Sequence, residues 1–124
     1  MNGITLDTGA LIALERRKQR ISEIIEHAFD VGVKVTVPAD VVGEWWRGRT
    51  DVREQIIDSV EVEPLTEGLA KIAGEALGAV EGATLVDAIV MASAAQRGDL
   101  VYTSDWEDLA RLRRRFPAVR VLRV

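Results

Sequence analysis

Short apolar runs rich in β-branched residues alternate with longer helical patterns along this chain, and that alternation constrains its fold most. Brief runs at 4–6, 33–37, 60–62, 100–103 and 119–124 predict strands. Residues with helical spacing lie between them, at 8–17, 19–30, 39–48, 51–58, 66–79, 84–97 and 106–115. Because helices separate successive strands, the sequence predicts an α/β fold in which helices cover both faces of a mainly parallel sheet.

The size and composition of the chain limit the chemistry that it can carry. Its 124 residues suffice for one compact domain, expected to span 1–124, and not for a second core. The absence of cysteine excludes a disulfide scaffold, a thiolate nucleophile and every Cys-based metal site. His27 is the one histidine, so a His-rich metal site within one chain is excluded too.

The sequence carries no sign of export or membrane insertion. No apolar run approaches the roughly 18–20 residues that cross a bilayer. The first residues lack the basic region and apolar stretch that are typical of a signal peptide. We therefore expect a cytoplasmic protein that does not associate with a membrane.

Four carboxylates lie where a parallel sheet collects ligands. Asp7 follows the first predicted strand and Asp105 follows the fourth. Glu44 and Asp87 lie early in two otherwise apolar helices, after the second strand and before the fourth. Ligands of open α/β sheets bind at the carboxyl ends of the strands, so we expect these four side chains to converge on one crevice.

Taken singly, each acid also has a structural interpretation. Asp7 and Asp105 suit the residue that begins a helix, and so does Asp40. Asp87 lies three residues after a threonine, which is the spacing of a capping box. Glu44 could lie on a solvated helix face. Only the combination of acids points to chemistry.

Carboxylates that share a crevice favour a divalent cation. Their mutual repulsion and burial raise their pKa values, and a bound cation relieves both costs. Ligands that are all oxygen favour Mg²⁺ or Mn²⁺ over zinc. Such ions activate water and neutralise the charge that builds up on a phosphodiester. Asp108, one turn after Asp105, is an auxiliary candidate for this site.

Three segments resemble motifs of the PIN-domain ribonucleases. Residues 6–14 (LDTGALIAL) resemble the opening motif, 86–92 (VDAIVMA) the buried central helix and 103–109 (TSDWEDL) the last acidic motif. Glu44 falls between them in the expected order. The resemblance runs the whole length of the chain and is nearest to the VapC toxins of bacterial type II toxin–antitoxin systems.

The resemblance implies a three-layer α/β/α, PIN-like nuclease domain and a Mg²⁺- or Mn²⁺-dependent endoribonuclease that acts as a toxin. It also implies a homodimer and a cognate antitoxin. The residues carried over as catalytic and metal-binding are Asp7, Glu44, Asp87 and Asp105. Thr8 or Ser104 would lend a hydroxyl to a ligand water or phosphate. Many relatives have a small polar residue in place of Gly9 and an asparagine in place of Ser104.

Two arginines are the candidates for contact with an RNA substrate. Arg47 and Arg49 follow the helix that carries Glu44, and an acidic chain that binds RNA needs cations for the phosphates. Trp45 and Trp46 are adjacent and therefore point to different helix faces, so one is expected in the core and the other is available for stacking.

Other functional classes share parts of this pattern. The main alternative is a catalytically silent PIN-fold module that binds RNA or an antitoxin. A receiver-like signalling domain also places acids at strand ends, but it requires a lysine after a late strand, and Lys18, Lys34 and Lys71 are not so placed. A phosphatase of the Asp-x-Asp type is disfavoured because Gly9 occupies the position of the second aspartate.

Overall fold

The computed structural model describes residues 2–124, which form five strands and seven helices. The strands are β1 (Ile4–Leu6), β2 (Val35–Pro38), β3 (Glu61–Glu63), β4 (Leu100–Thr103) and β5 (Arg120–Arg123). The helices are α1 (Thr8–Glu15), α2 (Gln19–Asp30), α3 (Ala39–Trp45), α4 (Asp51–Ser59), α5 (Glu67–Ala79), α6 (Leu85–Arg97) and α7 (Trp106–Leu112). Every predicted element is present.

The strands form one parallel sheet in the order β3-β2-β1-β4-β5. The prediction of a three-layer α/β/α sandwich with a mainly parallel sheet is therefore confirmed, and the sheet is parallel throughout. Chain order reverses between β1 and β4, where Leu6 is in register with Tyr102. In sheets of this kind the crevice at such a switch point is the usual ligand site.

Helix α6 forms the centre of the core. Residues 88–94 are all buried, because α6 packs across β1, β2 and β4 and also against α5 and α7. A helix enclosed in this way must be apolar around most of its circumference, as its sequence is. This packing fixes the N-terminal turn of α6, which carries Asp87, over the carboxyl ends of the central strands.

Several predicted element ends are displaced by a few residues. Helix α1 ends at Glu15 because Arg17 adopts a left-handed φ of 56°. Strand β2 includes Pro38, which was expected to break it. A proline is tolerated there because the strand ends at that residue and loses no further ladder hydrogen bond. Helix α3 ends at Trp45 and not at Gly48, because Trp46 is already extended.

The described helices include none that is long and apolar enough to cross a membrane.

Candidate active site

The carboxyl ends of β1 and β4 meet at Asp7 and Thr103. The Thr103 hydroxyl donates a hydrogen bond to Asp7 Oδ2 and accepts one from the amide of Asp105 at 2.8 Å. Thr103 therefore connects the two acids that follow the neighbouring strands. The second oxygen of Asp7 accepts the Ala10 amide at 2.8 Å, so Asp7 also begins α1 as its N-cap. The structural and the functional interpretations of Asp7 are compatible.

Asp7 is the most perturbed carboxylate of this region. Its side chain is buried, with 5% of the residue exposed. Desolvation is the largest cause that raises its pKa from 3.8 to about 6, and the charges of Asp87 and Asp105 raise it further. The hydrogen bonds from Thr103 and Ala10 oppose that shift without cancelling it. The fold thus places the Asp7 carboxylate in an environment that disfavours its ionised form.

Glu44 lies on α3 and is tied to the start of α1. The Thr8 hydroxyl donates a hydrogen bond of 2.6 Å to Glu44 Oε1. Thr8 was expected to serve a ligand water or phosphate, but in this structure its hydroxyl orients Glu44. Glu44 is exposed, and its charge contributes to the raised pKa of Asp87.

Asp87 lies in the first turn of α6. Its amide donates to the Thr84 hydroxyl at 3.2 Å, which is one half of the predicted capping box. Desolvation is the largest cause that raises the pKa of Asp87, and the charges of Asp108 and Glu44 add to it. The half-buried Asp87 carboxylate is therefore close enough to both of these acids to feel their charges.

Asp105 and Asp108 lie at the start of α7. Hydrogen bonding between their carboxyl groups is the largest cause that raises the pKa of Asp105, ahead of desolvation and of the charges of Asp108 and Asp87. Asp105 is exposed, and its side chain makes no capping hydrogen bond to α7. Asp108 also pairs with Arg111 at 3.7 Å.

The proposed site is rich in carboxylates. Within residues 2–124 no lysine, arginine or histidine forms an ion pair with Asp7, Glu44, Asp87 or Asp105. In the side-chain conformations described for these residues, no three His, Asp or Glu groups are arranged to hold one metal ion. The donor set nevertheless fits a hard divalent cation, since it offers only carboxylate oxygens and no competing cation.

Sequence reasoning missed two polar residues of this region. Thr103 was assigned to the end of a strand and to the start of the last acidic motif but was given no role of its own, although its hydroxyl bridges the amide of Asp105 and the carboxylate of Asp7. Asp40 was interpreted as an N-cap, but Pro38 occupies that position and Asp40 lies inside α3. Both Asp40 carboxylate oxygens are buried without a hydrogen-bond partner among the described residues. Desolvation and then the charge of Glu44 raise the pKa of Asp40.

The two departures from the usual PIN pattern, Gly9 and Ser104, contact each other. A Cβ atom at Gly9 would lie 1.9 Å from Ser104 Oγ. The absence of a side chain at Gly9 therefore makes room for the Ser104 hydroxyl against the first turn of α1. No reasoning from the order of residues alone could pair these positions, because they are close only in the folded chain.

The candidate RNA contacts lie at the edge of this region and have partners of their own. Arg47 donates to the carbonyls of Gly43 and Trp46, and Arg49 pairs with Asp51 at 3.2 Å.

The two adjacent tryptophans point to different faces, as expected. Trp45 is buried and donates its indole N–H to Glu15 at 2.8 Å, whereas Trp46 is half-buried. The two rings meet edge to face with centroids 6.0 Å apart.

Comparison with known families agrees with this architecture. A family model described as PIN domain matches residues 4–115, and the chain therefore belongs to the PIN-domain family. PIN domains are generally nucleases and typically use divalent metals. No curated protein matches the chain at a significant level.

Solved structures of toxin–antitoxin proteins share the fold. DNA-bound VapBC from Salmonella typhimurium matches with a TM-score of 0.79 and 18% identity, over 99% of this chain and 98% of the other. VapBC2 from Rickettsia felis, bound to a DNA fragment from its promoter, matches with a TM-score of 0.76 and 10% identity, over 98% of each chain. FitAB bound to an IR36 DNA fragment matches with a TM-score of 0.66 and 20% identity, over 97% of this chain and 94% of the other.

Proposed function

We propose that this chain is a single-domain, metal-dependent endoribonuclease that acts as the toxin of a toxin–antitoxin pair. The observation that carries the proposal is the group of carboxylates without cationic partners at the β1–β4 switch point. Membership of the PIN-domain family supports a nuclease, and the likeness to VapBC and FitAB structures supports a toxin of that type.

The residues proposed to hold the cation are those placed by the central strands and by α6. Asp7, Asp87 and Asp105 would supply oxygen ligands, and Glu44 would support a second ion or a water. When bound, Mg²⁺ or Mn²⁺ would lower the pKa of a water and neutralise charge on the phosphodiester. The burial of Asp7 matches this role, because a carboxylate that is costly to ionise alone binds a cation more readily.

Two of the proposed acids, Asp7 and Glu44, are oriented by neighbouring polar groups. Thr103 and the Ala10 amide fix the two oxygens of Asp7, and Thr8 fixes Glu44. Ser104, next to Asp105, is exposed at the edge of the site and is placed to donate to a phosphate oxygen or a water. These contacts set the direction of the acids before a substrate arrives, which lowers the cost of organising the site.

The central test is the substitution Asp7→Asn with Asp58→Asn as its matched control. Asp58 is an exposed aspartate on α4, outside the proposed site. We expect Asp7→Asn to reduce Mn²⁺-dependent cleavage of RNA by about 100-fold or more, which corresponds to about 2.7 kcal/mol of transition-state stabilisation. Asp58→Asn should cleave as the unaltered protein does. Cleavage by Asp7→Asn at the unaltered rate would refute the site.

Metal binding distinguishes the proposed nuclease from a catalytically silent binding module. A ligand that binds only the folded state raises the melting temperature. We expect Mn²⁺ to stabilise the protein and to stabilise Asp7→Asn much less. A protein that gains no thermal stability from Mg²⁺ or Mn²⁺ and cuts no RNA would be the silent module.

An antitoxin and a second copy of the chain are the proposed protein partners. The VapBC and FitAB structures are toxin–antitoxin complexes, and this chain has an open groove of about 510 Å³ between α2 and α4. Leu14, Phe29 and Val52 are among the apolar residues that line it, and a partner would remove such a surface from water. A homodimer predicts a sedimentation coefficient above that of a monomer at micromolar concentration.

A further inference from the structure

The surface on the β5 side of the acidic site carries three basic residues, Lys18, Arg20 and Arg123. Strand order places β4 and β5 on one side of β1, and β2 with the following Arg47 and Arg49 on the other. On the β5 side lie Arg123, at the end of β5, and Lys18 and Arg20, at the start of α2. The two sides of the site therefore carry different sets of basic residues.

Two shallow depressions connect these cations to the site. One, of about 310 Å³, is lined by Ser104, Asp105, Trp106 and Arg123 among others. The other, of about 350 Å³, is lined by Lys18, Arg20 and Ser104 among others. Ser104 belongs to both, so the two depressions meet beside Asp105.

Two of the cations are held in place by contacts that leave their charge unneutralised. Arg20 Nε donates to the carbonyl of Arg123 at 3.1 Å. The Arg123 guanidinium lies over the Trp106 ring, 5.1 Å from its centroid, and the Trp106 indole N–H donates to the Val121 carbonyl at 3.1 Å. A cation over an aromatic face keeps its full charge and its hydrogen-bond donors.

The basic residues on the two sides differ at Arg49, whereas Arg47 contacts only the carbonyls of Gly43 and Trp46 within the described part of the chain. Among residues 2–124, none of Lys18, Arg20 and Arg123 has a carboxylate within ion-pair distance. Arg49, in contrast, contacts Asp51 at 3.2 Å and Glu54 at 4.0 Å. An arginine that already has carboxylate partners gains less from a phosphate.

We propose that Lys18, Arg20 and Arg123 bind the phosphates that flank the scissile bond, so that the RNA strand runs along the β5 side of the site. This inference rests on the proposed ribonuclease function and names the surface that binds its substrate. A chain with a net charge of −4 and a carboxylate-rich site repels a polyanion, so it needs a local cationic path. Asp105 and Glu107 line the Arg123 depression too, which places the phosphates on its arginine side.

The test measures RNA binding apart from cleavage. Binding of a fluorescein-labelled, mixed-sequence, 20-nucleotide single-stranded RNA is followed by anisotropy in the Asp7→Asn full chain with chelator, at several salt concentrations. The variant is Lys18→Gln/Arg20→Gln/Arg123→Gln. The matched control is Arg113→Gln/Arg114→Gln/Arg115→Gln, which removes three exposed arginines and changes the net charge equally.

We expect the first triple variant to weaken binding about tenfold or more, and to reduce the slope of log K against log [salt] by about 2, since each contact to a single strand contributes about 0.7. The control should change binding less than about threefold, and Arg47→Gln/Arg49→Gln should weaken binding less than the first triple variant does. The double variant Lys18→Gln/Arg20→Gln keeps Arg123 on Trp106 and so controls for misfolding caused by loss of that contact. It should show about two thirds of the change in slope that the triple variant shows. Melting temperatures are recorded for every variant.

Three results would overturn the inference. The first is equal binding loss in the first triple variant and its control. The second is a larger binding loss in the Arg47→Gln/Arg49→Gln variant. The third is the absence of RNA binding by the Asp7→Asn chain at about 50 mM salt. Failure of the proposed function gives a different result, because unaltered protein that binds RNA through this surface but cleaves none with Mn²⁺ would retain the binding pattern.

Discussion

Two buried carboxylates at the β1–β4 pair have matching contacts and opposite charge environments. Asp99 precedes β4 and accepts a hydrogen bond of 2.8 Å from Thr5 on β1. Asp7 follows β1 and accepts a hydrogen bond from Thr103 on β4. Each is almost fully buried, with 6% and 5% of the residue exposed. The same device, a threonine on the neighbouring strand, therefore holds an aspartate at each end of the strand pair.

The difference between the two ends is an arginine. Arg97 bonds to Asp99 at 2.9 Å, to Glu63, and to the hydroxyls of Thr5 and Ser93 at 2.9 Å each. Asp7 has no such cation among residues 2–124, and desolvation raises its pKa to about 6. A buried carboxylate paired with an arginine contributes to the structure. A buried carboxylate without a cation has an unfavourable free energy of ionisation, which a bound cation can offset.

Removal of the Arg97 cation beside Asp99 and Glu63 should lower the free energy of unfolding more than the other substitutions do. Arg97→Met keeps the volume of the side chain and leaves Asp99 and Glu63 without their cation. We expect a loss of about 3 kcal/mol in the free energy of unfolding, because an unpaired buried charge is costly. Denaturant unfolding at neutral pH measures it. A loss below about 1 kcal/mol would mean that this network contributes no more than a surface ion pair.

Removal of the charge of Asp7, which has no cationic partner among residues 2–124, should raise the free energy of unfolding. We expect Asp7→Asn to stabilise the metal-free protein by about 2 kcal/mol at neutral pH, because a pKa raised from 3.8 to about 6 corresponds to about 3 kcal/mol of penalty and Asn forfeits part of the hydrogen bonding. The penalty is absent below pH 3.8, where Asp7 is protonated in both states, and grows as pH rises towards 6.

Thermal melts of Asp7→Asn and the unaltered protein from about pH 4 to pH 7.5, with chelator, measure this difference. The gain in melting temperature should widen with rising pH and level off above about pH 6. A gain in melting temperature that is constant across this pH range would show that burial does not raise the pKa of Asp7.

Two glycines, Gly3 beside Asp99 and Gly9 beside Ser104, compare the rigidity of the two ends of the strand pair. A Cβ at Gly3 would lie 2.6 Å from Asp99 Oδ1 and 3.1 Å from the Lys34 carbonyl, and a Cβ at Gly9 would lie 1.9 Å from Ser104 Oγ. We expect Gly3→Ala to cost about 1–2 kcal/mol because its neighbours are fixed. Gly9→Ala should cost less, about 0.5 kcal/mol, since the exposed Ser104 hydroxyl can rotate away.

Chemical denaturation of both alanine variants, with Gly9→Ala/Ser104→Ala as the rescue, measures these costs. The double variant should recover part of the cost of Gly9→Ala, because the clashing oxygen is gone while the Cβ of residue 104, 3.1 Å from the new Cβ, remains. If Gly9→Ala destabilises the protein more than Gly3→Ala does, the acidic end is the more rigid of the two.

Much of the fold was predictable because local pattern and tertiary packing agree. The apolar runs of β1 and β4 and the nearly continuous apolar helix α6 can be buried only in a sheet covered on both faces. Element ends were harder to predict, since they depend on single backbone conformations such as that of Arg17 and on where a strand lacks a partner beyond Pro38.

The candidate site was predictable only in part. Asp7 and Asp105 were found because polar residues directly after apolar strands are conspicuous. Thr103 was overlooked because a threonine inside a strand looks like any other β-branched residue. Asp40 was assigned to a helix start because its burial beside Glu44 depends on how α3 packs, which no local pattern records.

Local patterns in the chain were enough to predict the succession of strands and helices, the absence of thiol chemistry and the acids at the strand ends, because periodicity and residue type act locally. Which charged groups lie near one another depends on the folded arrangement. Arg97 neutralises Asp99 and Glu63, while Asp7 has no cationic partner among the described residues and the charges of Asp87 and Asp105 help to raise its pKa. Electrostatic energy depends on distance through space and on burial, and neither quantity is written in the order of residues.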